Sequence, residues 1–280
     1  MAILALMERA ATRSLPATEK LNPQLDACKM TSPRKNTSEH LSVQTYDYSL
    51  FGKVETVPLD NIRQIIGLRM AASWQNVPHV THHDSVDISD LEALRHQHND
   101  KAKDSARLST LSFIVKACLA GLKEYPDFNS SLDETEENLF IKRYFNIGIA
   151  VDTPGGLIVP VLKNADKLNL EDLASSAATL AEKARTGQLS FADAEGGTFT
   201  VTSLGKIGGT AFTPIINAPE VAIMGVSRAR QQPVEFEGKI ALRLILPLSL
   251  SYDHRVIDGA KAARFMGFVR DLLQKPKSLL

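Results

Sequence analysis

The stretch Ser251-Tyr252-Asp253-His254-Arg255-Val256-Ile257-Asp258-Gly259-Ala260 lies near the C-terminal end of this 280-residue chain. It follows an apolar run, Ile240 to Leu250, whose alternate positions are almost all Leu or Ile, which is typical of a long strand. A helix is predicted to begin near Gly259, with Asp258 in the position of its capping side chain. An imidazole and a carboxylate are therefore expected four residues apart at a strand-to-helix junction.

The spacing of His254 and Asp258 alone favours a structural role. A capping Asp is far commoner than a catalytic one, and a histidine at a strand end can simply be hydrogen bonded. One His and one Asp four residues apart also occur often by chance. A catalytic role for these two residues therefore needs support from other parts of the chain.

Composition describes an ordinary globular protein. Apolar residues make up 44% of the chain and charged residues 23%, and the 32 basic and 32 acidic residues cancel without forming long blocks. This balance argues against nucleic acid or an anionic membrane as partner, and no apolar run is long enough to cross a bilayer. Two cysteines, Cys28 and Cys118, give no disulfide framework, and Cys118 is expected to be a small buried thiol.

The predicted location is the cytoplasm. The alternative is the mitochondrial matrix, because residues 1–17 combine a short apolar start with Arg9 and Arg13, as in a weak organellar presequence.

Residues 1–45 are predicted to be a flexible tail or linker and residues 46–280 one compact domain. The segment 18–45 is rich in Ser, Thr, Asn, Lys and Pro and has no sustained period. Beyond it, Asp60 is expected to cap a helix, Ser89 and Glu92 to form a capping box for a short helix, and Leu139 to Val151 to form one long strand. Helices and strands alternate without a strict βαβ rhythm, which predicts an α/β fold on a mixed sheet.

The histidines His79, His82 and His83 form a second cluster that could suggest a metal site. Adjacent strand residues point to opposite faces, so His82 and His83 cannot both bind one ion from regular strand geometry. No Cys pair completes a tetrahedral set. No metal site is predicted.

The junction and the strand before it, Leu246 to Ala260, closely resemble the signature of the dihydrolipoamide acyltransferases, the core component of 2-oxo acid dehydrogenase complexes. Further matches to this family are spread along the chain: Val77-Pro78-His79-Val80-Thr81-His82; Phe128-Asn129-Ser130-Ser131-Leu132; Asn146-Ile147-Gly148-Ile149-Ala150-Val151-Asp152-Thr153-Pro154; and Ile216-Asn217-Ala218-Pro219-Glu220-Val221-Ala222-Ile223. The resemblance runs from about Tyr46 to the C-terminus and is strongest to the acetyl-transferring, pyruvate-type members of bacteria. A chance match at this density is hard to credit.

The resemblance implies a chloramphenicol acetyltransferase-like fold, a mixed β-sheet with flanking helices. It also implies a homotrimer with active sites at subunit interfaces, reached by coenzyme A from one side and by a dihydrolipoyl arm from the other. The lipoyl group is expected to come from another domain or chain, because residues 1–45 do not resemble a lipoyl domain. The terminal Leu279-Leu280 resembles the tail by which family trimers build a cubic or larger core.

Site residues follow from the same resemblance. His254 matches the general base, and the serine that stabilises the oxyanion falls on Thr202. Strand alternation supports this alignment: Thr202 is expected to face away from the apolar side, and Ser203, the less favoured alternative, to point with the core. Asp258 matches a carboxylate or amide position of the site.

Three further positions, Arg69, Asp152 and Arg255, match recurrent family positions and are expected to serve coenzyme binding. Asp152 and Arg255 are expected to form an ion pair behind the site.

The expected function is acyl transfer, most specifically transfer of an acetyl group between dihydrolipoamide and coenzyme A. The alternative is a non-catalytic core or scaffolding subunit, which Thr202 keeps open. An antibiotic-type acetyltransferase with an alcohol acceptor is disfavoured, because the matches beyond His254 and Asp258 are to the lipoyl-dependent branch.

Overall fold

The computed structural model describes residues 47–101, 107–205 and 207–280. It divides the chain into two units, one ending at Val57 and one spanning Pro58–Leu280. The predicted tail, residues 1–45, lies outside the described residues. Among the described residues of the first unit, 47–57, a 3₁₀ turn at Tyr48–Leu50 is capped by the Asp47 side chain.

Five α-helices of the second unit lie within the described residues: α1 (Asn61–Asn76), α2 (Ser89–Lys101), α3 (Thr110–Glu124), α4 (Leu170–Arg185) and α5 (Gly259–Gln274). The Asp60 side chain accepts a hydrogen bond from the Arg63 N–H, so the predicted cap of α1 is confirmed. The capping box predicted at Ser89 and Glu92 is wrong, because Ser89 bonds Asp87 and Leu244, while Glu92 bonds Arg95 and Thr110.

Eleven strands are seen in the same residues: β1 (His79–Asp87), β2 (Ser130–Leu132), β3 (Leu139–Ile141), β4 (Ile147–Ile149), β5 (Val151–Thr153), β6 (Gly156–Ile158), β7 (Val161–Leu162), β8 (Phe199–Ser203), β9 (Ala222–Val226), β10 (Arg230–Phe236) and β11 (Lys239–Asp253). The main sheet has the order β1-β11-β9-β8-β4-β7, with β10 paired to β11. β4, β8 and β9 run parallel and the other pairs are antiparallel, so the predicted mixed sheet is confirmed.

The single strand predicted from Leu139 to Val151 is wrong. The chain forms β3, β4 and the start of β5 there, in three different sheets. Between β3 and β4, the Asn129 side-chain amide donates to the carbonyls of Lys142 and Tyr144, at 2.9 and 3.0 Å. These two carbonyls are therefore not available to the hydrogen bonds of a continuous β-strand, and the chain leaves the β2–β3 sheet before β4.

The two faces of the main sheet differ in polarity. Residues paired across neighbouring strands share a face, and one row contains Val201, Met224 and Leu250, all fully buried. Helices α3 and α5 cover this side, and Phe265 of α5 stacks on Phe128 with ring centroids 4.2 Å apart. The predicted buried thiol, Cys118 of α3, lies fully inside this core.

The opposite face of the main sheet is lined with polar side chains. The β1 and β11 side chains are hydrogen bonded there, Thr81 to Ser251 at 2.8 Å and His83 to Ser249 at 2.9 Å. Ser249 and Ser251 are nevertheless almost fully buried, and the Phe212 ring, in the connection that precedes β9, packs over Gly225, the strand partner of Ser249.

Candidate active site

His254 lies in the turn that ends β11, and its backbone is anchored on both sides. The His254 N–H donates to the Pro78 carbonyl at 3.1 Å, and the Asp253 carbonyl accepts the N–H groups of Val256 and Ile257 at 3.0 Å each. The imidazole itself is exposed, and its centroid is 6.0 Å from the ring of buried Tyr252. The fold therefore presents a solvent-accessible base on a fixed backbone.

The buried Asp253 carboxylate stabilises this turn through hydrogen bonds to Arg255. It is only 2% exposed and accepts hydrogen bonds from the Arg255 backbone N–H, Nε and Nη2, the last at 2.6 Å. Arg255 also forms an ion pair with Glu136, in the β2–β3 turn. The hydrogen bond to Asp253 is the main reason why the pKa of Arg255 is raised.

The ion pair predicted between Asp152 and Arg255 is not formed within the described chain. Arg255 is taken up by Asp253 and Glu136, whereas Asp152 lies exposed in the β5–β6 hairpin. The sequence did not single out Glu136, because it lies 119 residues from Arg255 and belongs to none of the family matches.

Asp258 caps α5, as predicted. Its side chain accepts the Lys261 N–H at 2.7 Å, and this hydrogen bond is the main reason why the pKa of the Asp258 carboxyl is lowered. Burial raises the pKa of Tyr252, and the Asp258 carboxylate adds to this effect; the Tyr252 ring centroid lies 6.0 Å from that of His254.

Thr202 and Ser203 end β8. Ser203 points to the apolar side of the sheet, as expected, but it is exposed rather than buried in the core. It lies on the same side as buried Phe199 and Val201, but the apolar layer no longer extends over the last strand residue. The Ser203 Oγ accepts the Gly205 N–H at 3.3 Å.

Thr202 is half-buried and lies on the other side of β8 with Thr200, and Thr198 directly precedes the strand. Thr198 is hydrogen bonded to Asn146, and the Thr200 hydroxyl donates to Glu220 at 2.7 Å. Among the described residues, no hydrogen-bond partner is found for the Thr202 hydroxyl, which is therefore free to donate to a bound molecule.

The sheet register separates Thr202 from His254. Thr202 pairs with Gly225, which pairs with Ser249, and Ser249 precedes His254 by five residues on β11. A rise of about 3.3 Å per residue and about 4.8 Å per strand spacing place the two Cα atoms roughly 19 Å apart. One copy of the chain cannot bring both groups to the same reacting atom.

Arg69 lies on α1 and takes no part in the hydrogen bonds described above. Its side chain is exposed and makes no hydrogen bond or ion pair with the residues that the structure describes. The same helix exposes Ile62, Ile65 and Trp74, each by about half of its side-chain area or more.

Two polar residues of the family matches have contacts that their sequence pattern did not reveal. His79 is bonded at both ring nitrogens, to Val77 and Ile216. Glu220 is 4% exposed and bonded by Thr200, and burial raises the pKa of its carboxyl to about 7. Neither the histidine cluster nor the family matches indicated these contacts, because Ile216 and Thr200 are distant in sequence from His79 and Glu220.

The described part of the chain contains neither a metal-binding cluster nor a membrane-spanning helix. No group of three or more His, Cys, Asp or Glu side chains there is arranged to hold a metal ion. Among those same residues, no helix combines the length and apolar character needed to span a membrane.

Comparison with known families gives a match over residues 51–280 to the 2-oxoacid dehydrogenases acyltransferase (catalytic domain) family. The chain belongs to this family. The match contains both the His254 turn and the end of β8, and it confirms the resemblance drawn from the motifs.

Curated relatives are named as the dihydrolipoyllysine-residue acetyltransferase component of the pyruvate dehydrogenase complex. The Azotobacter vinelandii protein is 52% identical over 236 residues, which cover 84% of this chain and 37% of the relative. The Cupriavidus necator protein is 49% identical over 236 residues, covering 84% of this chain and 42% of the relative. The chain thus spans about two fifths of the length of these relatives.

Solved structures agree with the family. The cubic core of a pyruvate dehydrogenase multienzyme complex has a TM-score of 0.81 and 52% identity, covering 84% of this chain and 97% of that one. The A. vinelandii dihydrolipoamide acetyltransferase has the same TM-score at 51% identity, with the same two coverages. That enzyme was studied for the catalytic role of a serine, a histidine and an asparagine, the serine 52 positions before the histidine and the asparagine 4 after it.

A chloramphenicol acetyltransferase matches with a TM-score of 0.50 at 14% identity, over 78% of this chain and 99% of that one. This likeness concerns the fold alone, and it confirms the predicted fold class.

Proposed function

We propose that this acyltransferase domain transfers an acetyl group between dihydrolipoamide and coenzyme A, with His254 as general base. The observation that carries the proposal is the exposed imidazole of His254, on a turn whose backbone is bonded to Pro78, just before β1, and to the buried Asp253 carboxylate. A general base needs an accessible ring held in a constant position, and this turn supplies both. The names of the curated relatives support the acetyl group as cargo.

The reaction follows from the chemistry of thioesters. His254 takes the thiol proton of coenzyme A as the coenzyme A sulfur attacks the carbonyl carbon of acetyl-dihydrolipoamide. The carbonyl oxygen becomes an oxyanion in the tetrahedral intermediate, and a hydroxyl that donates a hydrogen bond to it stabilises it. Collapse breaks the bond to the dihydrolipoyl sulfur, which receives the proton from His254.

Thr202 is the hydroxyl that we assign to the oxyanion. Counted from His254, the serine and asparagine offsets of the A. vinelandii enzyme fall on Thr202 and Asp258. The Thr202 hydroxyl has no partner among the described residues and can donate; the Ser203 Oγ only accepts a backbone hydrogen bond and could donate as well, so the choice of Thr202 rests on the offset. Threonine retains the donor but adds a methyl group that restricts its rotamer, so the site is expected to work more slowly than one built on serine.

The site is proposed to be shared between two chains. The roughly 19 Å within one chain requires that His254 of one copy meet Thr202 of another, and a homotrimer gives three such sites. The exposed apolar side chains of α1 are available for contacts between copies. The likeness to a cubic core supports a larger assembly of these trimers.

Coenzyme A and the lipoyl group are proposed as the two substrates, the latter on another domain or chain. Arg69 and Asp152 are exposed and remain proposed contacts for the coenzyme. Arg255, being bonded to Asp253 and Glu136, is assigned to holding the turn instead. A cytoplasmic location stays a prediction.

A scaffolding role is the second candidate, favoured only by threonine at the serine position. The two functions are separated by measuring acetyl transfer from acetyl coenzyme A to free dihydrolipoamide with the purified chain and with His254→Ala. Loss of the base is expected to lower the rate on the order of 10²–10⁴-fold. Equal rates for the two proteins would leave only the scaffold.

A further inference from the structure

His79 joins two parts of the chain that meet beside the base. The Ile216 N–H donates to His79 Nε2 at 3.0 Å, which requires an unprotonated Nε2. The proton of the neutral ring is then on Nδ1, which lies 2.8 Å from the Val77 carbonyl and donates to it. Both ring nitrogens are thus used, so His79 is available neither as a metal ligand nor as a proton carrier.

Ile216 belongs to the connection between β8 and β9 and is held at both backbone atoms. Its N–H is bonded by His79, and its carbonyl accepts the Ser73 hydroxyl of α1 at 2.6 Å. Its side chain is fully buried in a small cluster with Val77 and Ile223. The connection is therefore fastened at this residue to both α1 and β1.

The segment that contains Val77 and His79 also contacts the His254 turn. Pro78, between Val77 and His79, provides the carbonyl that accepts the His254 N–H. His79 is also the cross-strand partner of Asp253, and the Asp253 N–H donates to Val221 at the end of the connection. Only one peptide unit separates the carbonyl bonded by the His79 ring from the carbonyl that holds the base.

We infer that His79 is a positioning residue for His254: by accepting the Ile216 N–H, its imidazole fixes the start of β1, and with it the backbone of the base. This inference rests on the proposed role of His254 in acyl transfer. A displacement of about 1 Å can cost roughly 10²-fold in rate, so loosening this support reduces catalysis without touching a substrate.

The test compares two amides at position 79. Glutamine in His79→Gln is long enough to place its oxygen near the Nε2 position and accept the Ile216 N–H. Asparagine in His79→Asn can still donate to Val77 but is too short to reach Ile216. His83→Asn is the matched control, because His83 lies on the same strand face and its ring is hydrogen bonded, among the described residues, to Ser249 alone.

Acetyl transfer from acetyl coenzyme A to dihydrolipoamide is measured for each chain after sedimentation has shown that it assembles. The His79→Asn kcat is expected to fall on the order of 10–100-fold with KM for coenzyme A within about 2-fold, because only the chemical step is affected. His79→Gln and His83→Asn are expected to stay within about 3-fold of wild type.

Several results would overturn the inference. One is a wild-type kcat for His79→Asn, and another is an equal loss in His79→Asn and His79→Gln or in His83→Asn. If His79→Asn does not assemble, Ser73→Ala, which removes the other bond to Ile216, must lower kcat, and a wild-type kcat there rejects the inference. Equal rates for wild type and His254→Ala would reject the proposed function itself, and this inference with it.

Discussion

Replacing Glu220 with glutamine is predicted to remove a pH dependence of folding stability. The Glu220 carboxyl is 4% exposed, and burial is the largest influence on it. The Thr200 hydroxyl at 2.7 Å and the charge of Lys142 favour the ionised form, but burial outweighs both and raises the pKa from 4.5 to about 7. This difference corresponds to about 3 kcal/mol of folding free energy.

The direction follows from the raised pKa. Between pH 4.5 and about 7 the folded chain holds the Glu220 proton more tightly than the unfolded chain does. The stability from this group is therefore fully present below pH 4.5 and is lost as the pH rises through about 7. Glutamine has no such proton, so its contribution does not change across this range.

The measurement is denaturant unfolding of wild type and Glu220→Gln at one chain concentration, at steps between pH 5 and 8. The free energy of unfolding of wild type is expected to fall relative to that of Glu220→Gln as the pH rises, by about 2–3 kcal/mol. Glu137→Gln, an exposed carboxyl in the β2–β3 turn, is the control and should follow wild type. Parallel pH profiles for wild type and Glu220→Gln would refute the reasoning.

Other predictions concern the core, the cap and the oxyanion. In a Cys28→Ser chain, the Cys118 thiol, whose pKa burial raises to about 12, should resist alkylation at pH 8 until the protein is unfolded; rapid labelling of the native chain would contradict its burial. Asp258→Ala should lower the free energy of unfolding by about 1 kcal/mol while Asp258→Asn stays close to wild type, since both Asp and Asn cap helices; equal losses in denaturant unfolding would reject the capping account. Thr202→Val should lower kcat roughly 10²–10³-fold and Ser203→Ala little, as measured by acetyl transfer; the reverse order would move the oxyanion donor to Ser203.

Local pattern was enough to predict several elements of the fold. The caps at Asp60 and Asp258 and the strand of β11 depend on residues close in sequence, and each is confirmed. The prediction of one strand from Leu139 to Val151 was wrong because the Asn129 amide donates to carbonyls within that segment. The alternation of apolar residues in a segment cannot reveal a hydrogen-bond partner 13 residues away.

Long-range contacts also limited what the sequence could say about the site. His254 and Thr202 were found through motifs, but their separation became visible only when the register of β8, β9 and β11 was known. Strand alternation predicted that Ser203 is on the apolar side of β8, but it could not predict that Ser203 is exposed, because alternation does not show where the apolar side chains that cover the sheet end. Similarly, Arg255 pairs with Asp253 and with Glu136, and the second of these lies in a turn that no motif includes.

Mixing two inactive chains tests most directly whether His254 and Thr202 act together across two copies. Coexpressed His254→Ala and Thr202→Val chains would form mixed trimers in which about a quarter of the sites combine an intact His254 with an intact Thr202. Acetyl transfer by the mixture is predicted to approach a quarter of the wild-type rate, far above either variant alone. Activity of the mixture no higher than the average of the two separate variants would contradict a site shared between chains.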